Sequence, residues 1–259
     1  MKLGLYLSMW ISVVTAQAQH AYFPTAGTVL FDKTVHVKNL MRRHIASLKD
    51  DGFSKKYYSE LMDKAPETAI LQKKLLFNGA EMRMESLQTN DNPLIKTLLQ
   101  GGLLDYQQTL YQNLSTSLST SSFQLAGSPI LLQDSLLKVK WKITDEYRQI
   151  AGYSCRRANG LTLDSVYVVA FYTDQIPLSV GPGTVNGLPG MILGLVVPEQ
   201  HFNIYASEVK FDTPLIQNTV GRKRDKAMTR KEVQEKMREV MGRWMSNQQF
   251  NLLMAAMLL

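Results

Sequence analysis

The side chains in this chain that could do chemistry are few and scattered. Its four histidines, His20, His36, His44 and His201, lack the HxxxH and HExxH spacings that set two imidazoles on one helix face for zinc. Ser135-Leu136-Leu137-Lys138 has the SxxK order of penicillin-binding enzymes. It falls in a stretch that reads as strand, however, and no Lys-Thr-Gly or Ser-Asp-Asn partner accompanies it. Gly181, Gly183 and Gly187 do not make the GxGxxG spacing of a phosphate cradle, no Lys-Ser/Thr follows, and the next element reads as strand instead of helix. A copper-chelating pair of α-amine and imidazole at His20 would need cleavage just before it, with Gln17 and Gln19 in unfavourable recognition positions. Cys155 is the only cysteine, which rules out an intrachain disulfide and suits a small buried hydrophobe on a strand. The expectation is therefore no catalytic set, no metal and no cofactor.

One loop stands apart. Gly181-Pro182-Gly183-Thr184-Val185-Asn186-Gly187-Leu188-Pro189-Gly190 combines prolines of fixed φ with glycines free to take φ > 0, a path ordinary residues resist. Within it Leu188-Pro189-Gly190-Met191 suits a type II turn.

The elements that must position this loop read mainly as strands. Val29, Phe31, Val35 and Val37 alternate in a strand over 27–37. Helices fit residues 40–48, closed by Gly52, and 54–64, stopped by Pro66. Strands over 70–77 and 80–86 flank a hairpin turn at Asn78-Gly79. The Ser/Thr-rich stretch 113–122 reads as a loop or an edge strand. Leu137, Val139, Trp141 and Ile143 alternate with Lys138, Lys140 and Lys142, giving one core face and one wet face. Further strands are expected over 147–158, 163–173 (apolar on both faces, as at a sheet centre), 191–197 and 202–211. Short connections make neighbours antiparallel. A capping box at Thr229 and Glu232 opens one amphipathic helix over about 230–247, with Val233, Met237, Val240, Met241, Trp244 and Met245 on its stripe. The apolar residues 252–259 must dock on something. The predicted class is mainly β (α+β): an antiparallel sheet or half-barrel covered by a few helices, the last of them C-terminal and amphipathic.

The first residues read as an export signal. Lys2 precedes an apolar run from Leu3 to Val14, too short to span a bilayer, and Ala16-Gln17-Ala18 suits cleavage after Ala18. Residues 19–259 then form one β-rich domain with no transmembrane segment. Hydrophobic residues at 45% and charged residues at 20% describe a folded chain with a sizeable core. Loss of Lys2 lowers the net charge from +7 to +6, with the basic residues dispersed except around Arg222–Lys231, so no nucleic-acid partner is expected.

Gly187-Leu188-Pro189-Gly190-Met191-Ile192 resembles the motif of the GLPGLI family of exported bacterial envelope proteins. Trp141-Lys142-Ile143-Thr144, Gly152-Tyr153-Ser154-Cys155, Phe171-Tyr172-Thr173, Ile176-Pro177 and Gly181-Pro182 extend the resemblance in order and spacing. Phe171 stands where the family usually has Trp, Met191 where it has Leu, and Gly183 where an aromatic is common. The resemblance implies an antiparallel half-barrel similar in outline to periplasmic carriers of apolar ligands, linked in some members with outer-membrane receptors. The reading from sequence is an exported, non-enzymatic binding protein of the cell envelope, taking an apolar small ligand or an outer-membrane receptor. A metal-handling protein or unrecognised enzyme using Cys155, His201 or Asp174, and a structural envelope component, are the alternatives.

Overall fold

The computed structural model describes residues 24–48, 52–87, 90–125, 127–163, 166–222, 224–241 and 246–259. The expected signal segment, His20, Trp244 and Met245 lie outside the described residues. In chain order the strands are β1 (Ala26–Val35), β2 (Ala69–Asn78), β3 (Glu81–Ser86), β4 (Thr109–Asn113), β5 (Leu118–Leu125), β6 (Ser128–Ser135), β7 (Val139–Ile150), β8 (Tyr153–Thr162), β9 (Val166–Thr173), β10 (Met191–Val197), β11 (Phe202–Lys210) and β12 (Ala227–Met228). The helices are α1 (Val37–Ser47), α2 (Phe53–Lys64), α3 (Pro93–Gln100), α4 (Arg230–Met241) and α5 (Asn247–Leu258). The class is mainly β, as the alternating patterns indicate.

All twelve strands belong to one sheet, ordered β12-β6-β5-β4-β3-β2-β1-β11-β10-β9-β8-β7. Every pairing is antiparallel except the two-residue β12–β6 contact, because short hairpins join most sequence neighbours. The sheet is open, with β12 and β7 at its edges, yet it curls. If flat, β4 and β7 would lie roughly 38 Å apart at the usual strand spacing. Instead Gln112 on β4 donates to Thr184 O at 3.4 Å while Trp141 on β7 donates to Asn186 O at 2.9 Å. Strands eight places apart in the half-barrel thus grip one short segment. Along β1 and β2 the odd positions face the concave side, and Val29, Phe31, Leu75 and Phe77 among them are fully buried.

Several sequence expectations are corrected. Gly52 does not close α1, which ends on an extended Leu48; it precedes α2 with φ +68°. Asn78 pairs with Glu81, so the two turn residues are Gly79 and Ala80. The segment expected as loop or edge contains the interior strand β5, whose Ser119, Thr120 and Ser121 are buried; polarity misled because small hydroxyl side chains are buried on both faces of this strand. The lysine-alternating strand β7 is a sheet edge, with Ile143 40% exposed, and its lysines guard that edge. The stretch 147–158 is divided by a turn at Ala151 (φ +49°) and Gly152 (φ +86°), the paired positive values that a tight hairpin demands. β9 is apolar on both faces although it lies third from an edge, because the following loop covers its concave side.

The C-terminal region also divides. The Thr229–Glu232 capping box opens α4, with Thr229 N donating to Glu232 Oε2 at 2.7 Å and Glu232 N to Thr229 Oγ1 at 3.2 Å. Val233 and Met237 are buried on α4, but Val240 is 63% exposed, so its apolar stripe is shorter than expected. A second capping box at Ser246 and Gln249 starts α5. The second half of this helix is apolar on most sides and largely buried, while Asn247 and Asn251 remain exposed. Phe250, Met254, Met257 and Leu258 pack with Phe123, Ile130 and Leu132 of β5 and β6, while Ala255 and Leu259 enter the main core. At roughly 1.5–3 kcal/mol for each fully buried apolar side chain, this docking contributes heavily to stability. No helix among the described residues is long and apolar enough to cross a membrane.

Candidate functional site

The Gly/Pro segment between β9 and β10 folds into the half-barrel. Prolines lack an N–H, so the chain advances by three-residue turns: Leu178 N donates to Ile176 O, Val180 N to Leu178 O and Gly190 N to Leu188 O, each at 2.8 Å. The expected type II turn at Leu188–Met191 is not made. Met191 N donates instead to Ile176 O at 3.0 Å, and Gly190 adopts φ +150° where a type II turn needs about +80°. Packing explains the difference, since a Cβ on Gly190 would sit 2.1 Å from Thr173 O. The loop backbone approaches β9 more closely than any side chain allows.

Most of the loop is interior. Gly181, Pro182, Leu188, Met191 and Ile192 are buried, whereas Gly187 and Pro189 are exposed. Gly187 N donates to Ser179 Oγ at 2.9 Å, and half-buried Trp141 reaches over to Asn186. The far end of the loop meets α5, where Thr184 Oγ1 donates to Leu258 O at 2.6 Å. Tyr172 is buried on β9 and Pro177 is exposed on the loop. Gly152, Tyr153 and Cys155 lie outside the loop itself, although Cys155 and Tyr153 pack in the same core cluster as Leu188, Met191 and Ile192. They belong to the β7–β8 hairpin, where Cys155 is fully buried and burial pushes its thiol up to about 12. A thiol so held is inert at neutral pH. Among the described residues no group of three His, Cys, Asp or Glu side chains is arranged to hold a metal ion.

The site with chemical potential lies elsewhere on the concave face, on residues the sequence reading passed over. Lys33 on β1 and Lys73 on β2 occupy inward positions in phase with Phe31 and Leu75. Asp105 lies between them, at 2.6 Å from Lys33 Nζ and 2.5 Å from Lys73 Nζ. Its side chain is 8% exposed, and those of Lys33 and Lys73 are 12% and 7% exposed. Lys33 Nζ also stands 4.1 Å from the centre of the Phe202 ring, and Lys73 Nζ donates to Ser86 Oγ at 2.8 Å.

Local sequence explains how Asp105 arrives there. Asn92 caps α3, accepting from Leu94 N and Ile95 N, with Pro93 at the first helical position where no N–H is needed. At the other end Gly102 takes φ +70°, with Gly102 N donating to Leu99 O and Leu103 N to Leu98 O. That is a Schellman stop, which turns the chain back toward the sheet. Asp105 then fixes the next bend by accepting from Gln107 N at 2.9 Å.

Burial alone would raise the carboxyl pKa, but the two ammonium groups and their hydrogen bonds outweigh it and hold Asp105 far below the usual carboxylate range. Desolvation lowers the ammonium pKa of Lys73, opposed by Asp105. Two buried cations against one anion leave an excess of one positive charge, a costly arrangement to take out of water.

Two cavities flank the triad. The smaller, about 40 Å³, lies toward Tyr106, Phe202, Ile204, Pro182 and Leu259, and has room for a few waters only. The larger, about 230 Å³, lies between α3, β2 and β3, lined by Leu71, Lys73, Ser86, Leu87, Lys96 and Leu99. The signal in the sequence was a lysine in the inward phase of two apolar strands, together with Asn92-Pro93 and Gly101-Gly102 punctuating an unrecognised helix.

Residues 161–194 match a family described as "Protein of unknown function (Porph_ging)". That stretch takes in β9, the Gly/Pro loop and the start of β10. No curated protein matches. A solved structure of PNGF-II is similar over 79% of this chain, at 13% identity and a TM-score of 0.48. This chain covers 31% of that one, so it spans under a third of its length. A likeness that distant bears on neither activity nor ligand.

Proposed function

We propose that this is an exported, non-enzymatic binding protein of the cell envelope, of the GLPGLI type, that holds a small ligand beside the Lys33–Asp105–Lys73 triad. The observation that carries the reading is the cavity of about 230 Å³ that abuts a buried, incompletely neutralised ion cluster in a half-barrel. Export rests on the cation, short apolar run and small residues of 1–18. The Gly/Pro loop is the less favourable docking element for an outer-membrane receptor, because most of it is enclosed and Pro189 is among its few exposed residues.

Native mass spectrometry of the full chain exported by its host tests this. The expected result is a mature protein beginning at Gln19 with a co-purifying small molecule, reduced by substitutions around the larger cavity. Bare protein in every preparation, with no receptor captured by crosslinking, overturns the binding reading, and an uncleaved cytoplasmic product overturns export.

A further inference from the structure

The larger cavity says more about its occupant than that one exists. Its deep wall carries the Lys73 ammonium group, which has three donors. Asp105 Oδ2 and Ser86 Oγ take two of them. The third has no partner among the described residues, and Lys73 lines the cavity. At the mouth stands Lys96, 55% exposed, whose ion pair with Asp91 spans 3.3 Å in open solvent and is correspondingly weak. Counting Lys33, Lys73 and Lys96 against Asp91 and Asp105 leaves the surroundings one positive charge in excess. Leu71, Leu87 and Leu99 supply the apolar part of the wall, and the rest is polar, with Gln72, Asn90, Gln100, Gln107 and the Asp105 carboxylate. An engineered cavity of 150 Å³ accommodates benzene. About 230 Å³ therefore suits one ring or a branched alkyl group with one small polar head.

We propose that this cavity binds a small apolar monoanion, a carboxylate bearing a ring-sized or branched-chain group, with Lys73 as its buried anchor and Lys96 as the cation at its mouth. One carboxylate balances the excess charge, accepts the spare Lys73 donor and leaves its apolar part against the three leucines. A dianion overcompensates, and a cation meets two ammonium groups. The inference rests on the binding reading above and narrows it to a chemical class.

The test uses calorimetry and thermal shift on the mature chain with phenylacetate, benzoate and 4-methylpentanoate, each against its neutral amide, and with inorganic phosphate. At least one carboxylate is expected to bind ten-fold or more tightly than its amide and to raise Tm with concentration, while phosphate does neither. Lys73→Met, which leaves Lys33 and Asp105 as a balanced pair, should abolish the preference for carboxylate over amide. Lys96→Ala, at an exposed position that folding does not need, should weaken carboxylate binding several-fold and leave amide binding unchanged. Equal binding of carboxylates and amides overturns the charge assignment and spares the cavity as a binding site. Phosphate binding as tightly as the carboxylates overturns the apolar part. No binding by any of them to the folded protein overturns both this inference and the use of the cavity.

Discussion

The Gly/Pro loop and the lysine–aspartate triad share the concave face of one half-barrel and answer opposite physical demands. The loop achieves contact distances that leave no room for a Cβ, its main-chain oxygens accept from β7 and β4, and its Thr184 hydroxyl donates to α5. The triad keeps three charged groups out of water and has empty space on both sides. Dense packing around a motif marks an element whose task is to hold the barrel's shape. Unfilled volume beside a buried charge is the ground of the binding role proposed above. The most conspicuous sequence feature is thus the better packed of the two, and the more reactive feature is the less conspicuous.

Gly190→Val breaks the loop side of this comparison most severely. A branched side chain directed at Thr173 O, at a φ that L residues rarely adopt, should cost more than ~4 kcal/mol and leave little soluble folded protein, as read by denaturant unfolding or expression yield. If Gly190→Val folds with near-normal stability, the close approach of loop to β9 is wrong.

Asp105→Asn is the corresponding break on the triad side. It leaves two buried ammonium groups without an anion and should cost ~3–5 kcal/mol. The acid limb of the stability curve sharpens the point. A carboxyl held below its unfolded pKa contributes stability that is complete above about pH 4 and is lost as pH falls toward its folded value. Asp105→Asn should therefore be less stable at neutral pH and flatter in acid than the wild type, measured by urea midpoints between pH 7 and pH 2. An unchanged acid limb would remove Asp105 from the account.

Smaller effects separate the two regions further. Trp141→Phe keeps the ring but deletes the bond to Asn186 O, and should lower stability by ~1–3 kcal/mol. Lys96→Ala should lie within ~0.5 kcal/mol of wild type in stability, since only an exposed ion pair is lost. Its effect should appear in ligand binding alone. A Lys96→Ala variant that unfolds readily, or a Trp141→Phe variant that does not notice the change, would blur the distinction between a packed scaffold and a site.

How much of this was legible in the residues follows the range of the interactions involved. The alternation in β1 and β2, the two-faced apolar run of β9, the Thr229–Glu232 capping box and the stop of α2 before Pro66 are local, and they read correctly. The turn at Ala151-Gly152 was missed because Ile150 and Tyr153 look continuous until two positive φ values are known. β5 reads as a loop or an edge strand because serines and threonines give no hydrophobic period, and its interior place depends on the neighbours on both sides. The motif residues Gly181, Leu188, Met191 and Ile192 stand out in the sequence, yet their type gives no indication that they are buried.

The candidate site was harder for the same reason. Lys33, Lys73 and Asp105 are ordinary residues in separate segments, and nothing in the order of the chain says they touch. The amino-acid pattern by itself determined a β-rich chain with a constrained Gly/Pro loop and amphipathic or apolar helices near its end, because backbone conformation and hydrophobic phase are properties of neighbours. Curling of the sheet, enclosure of the loop and convergence of two cations on one carboxylate were decided only in three dimensions, where strands distant in sequence bury the same face and set which charges must share a space without water.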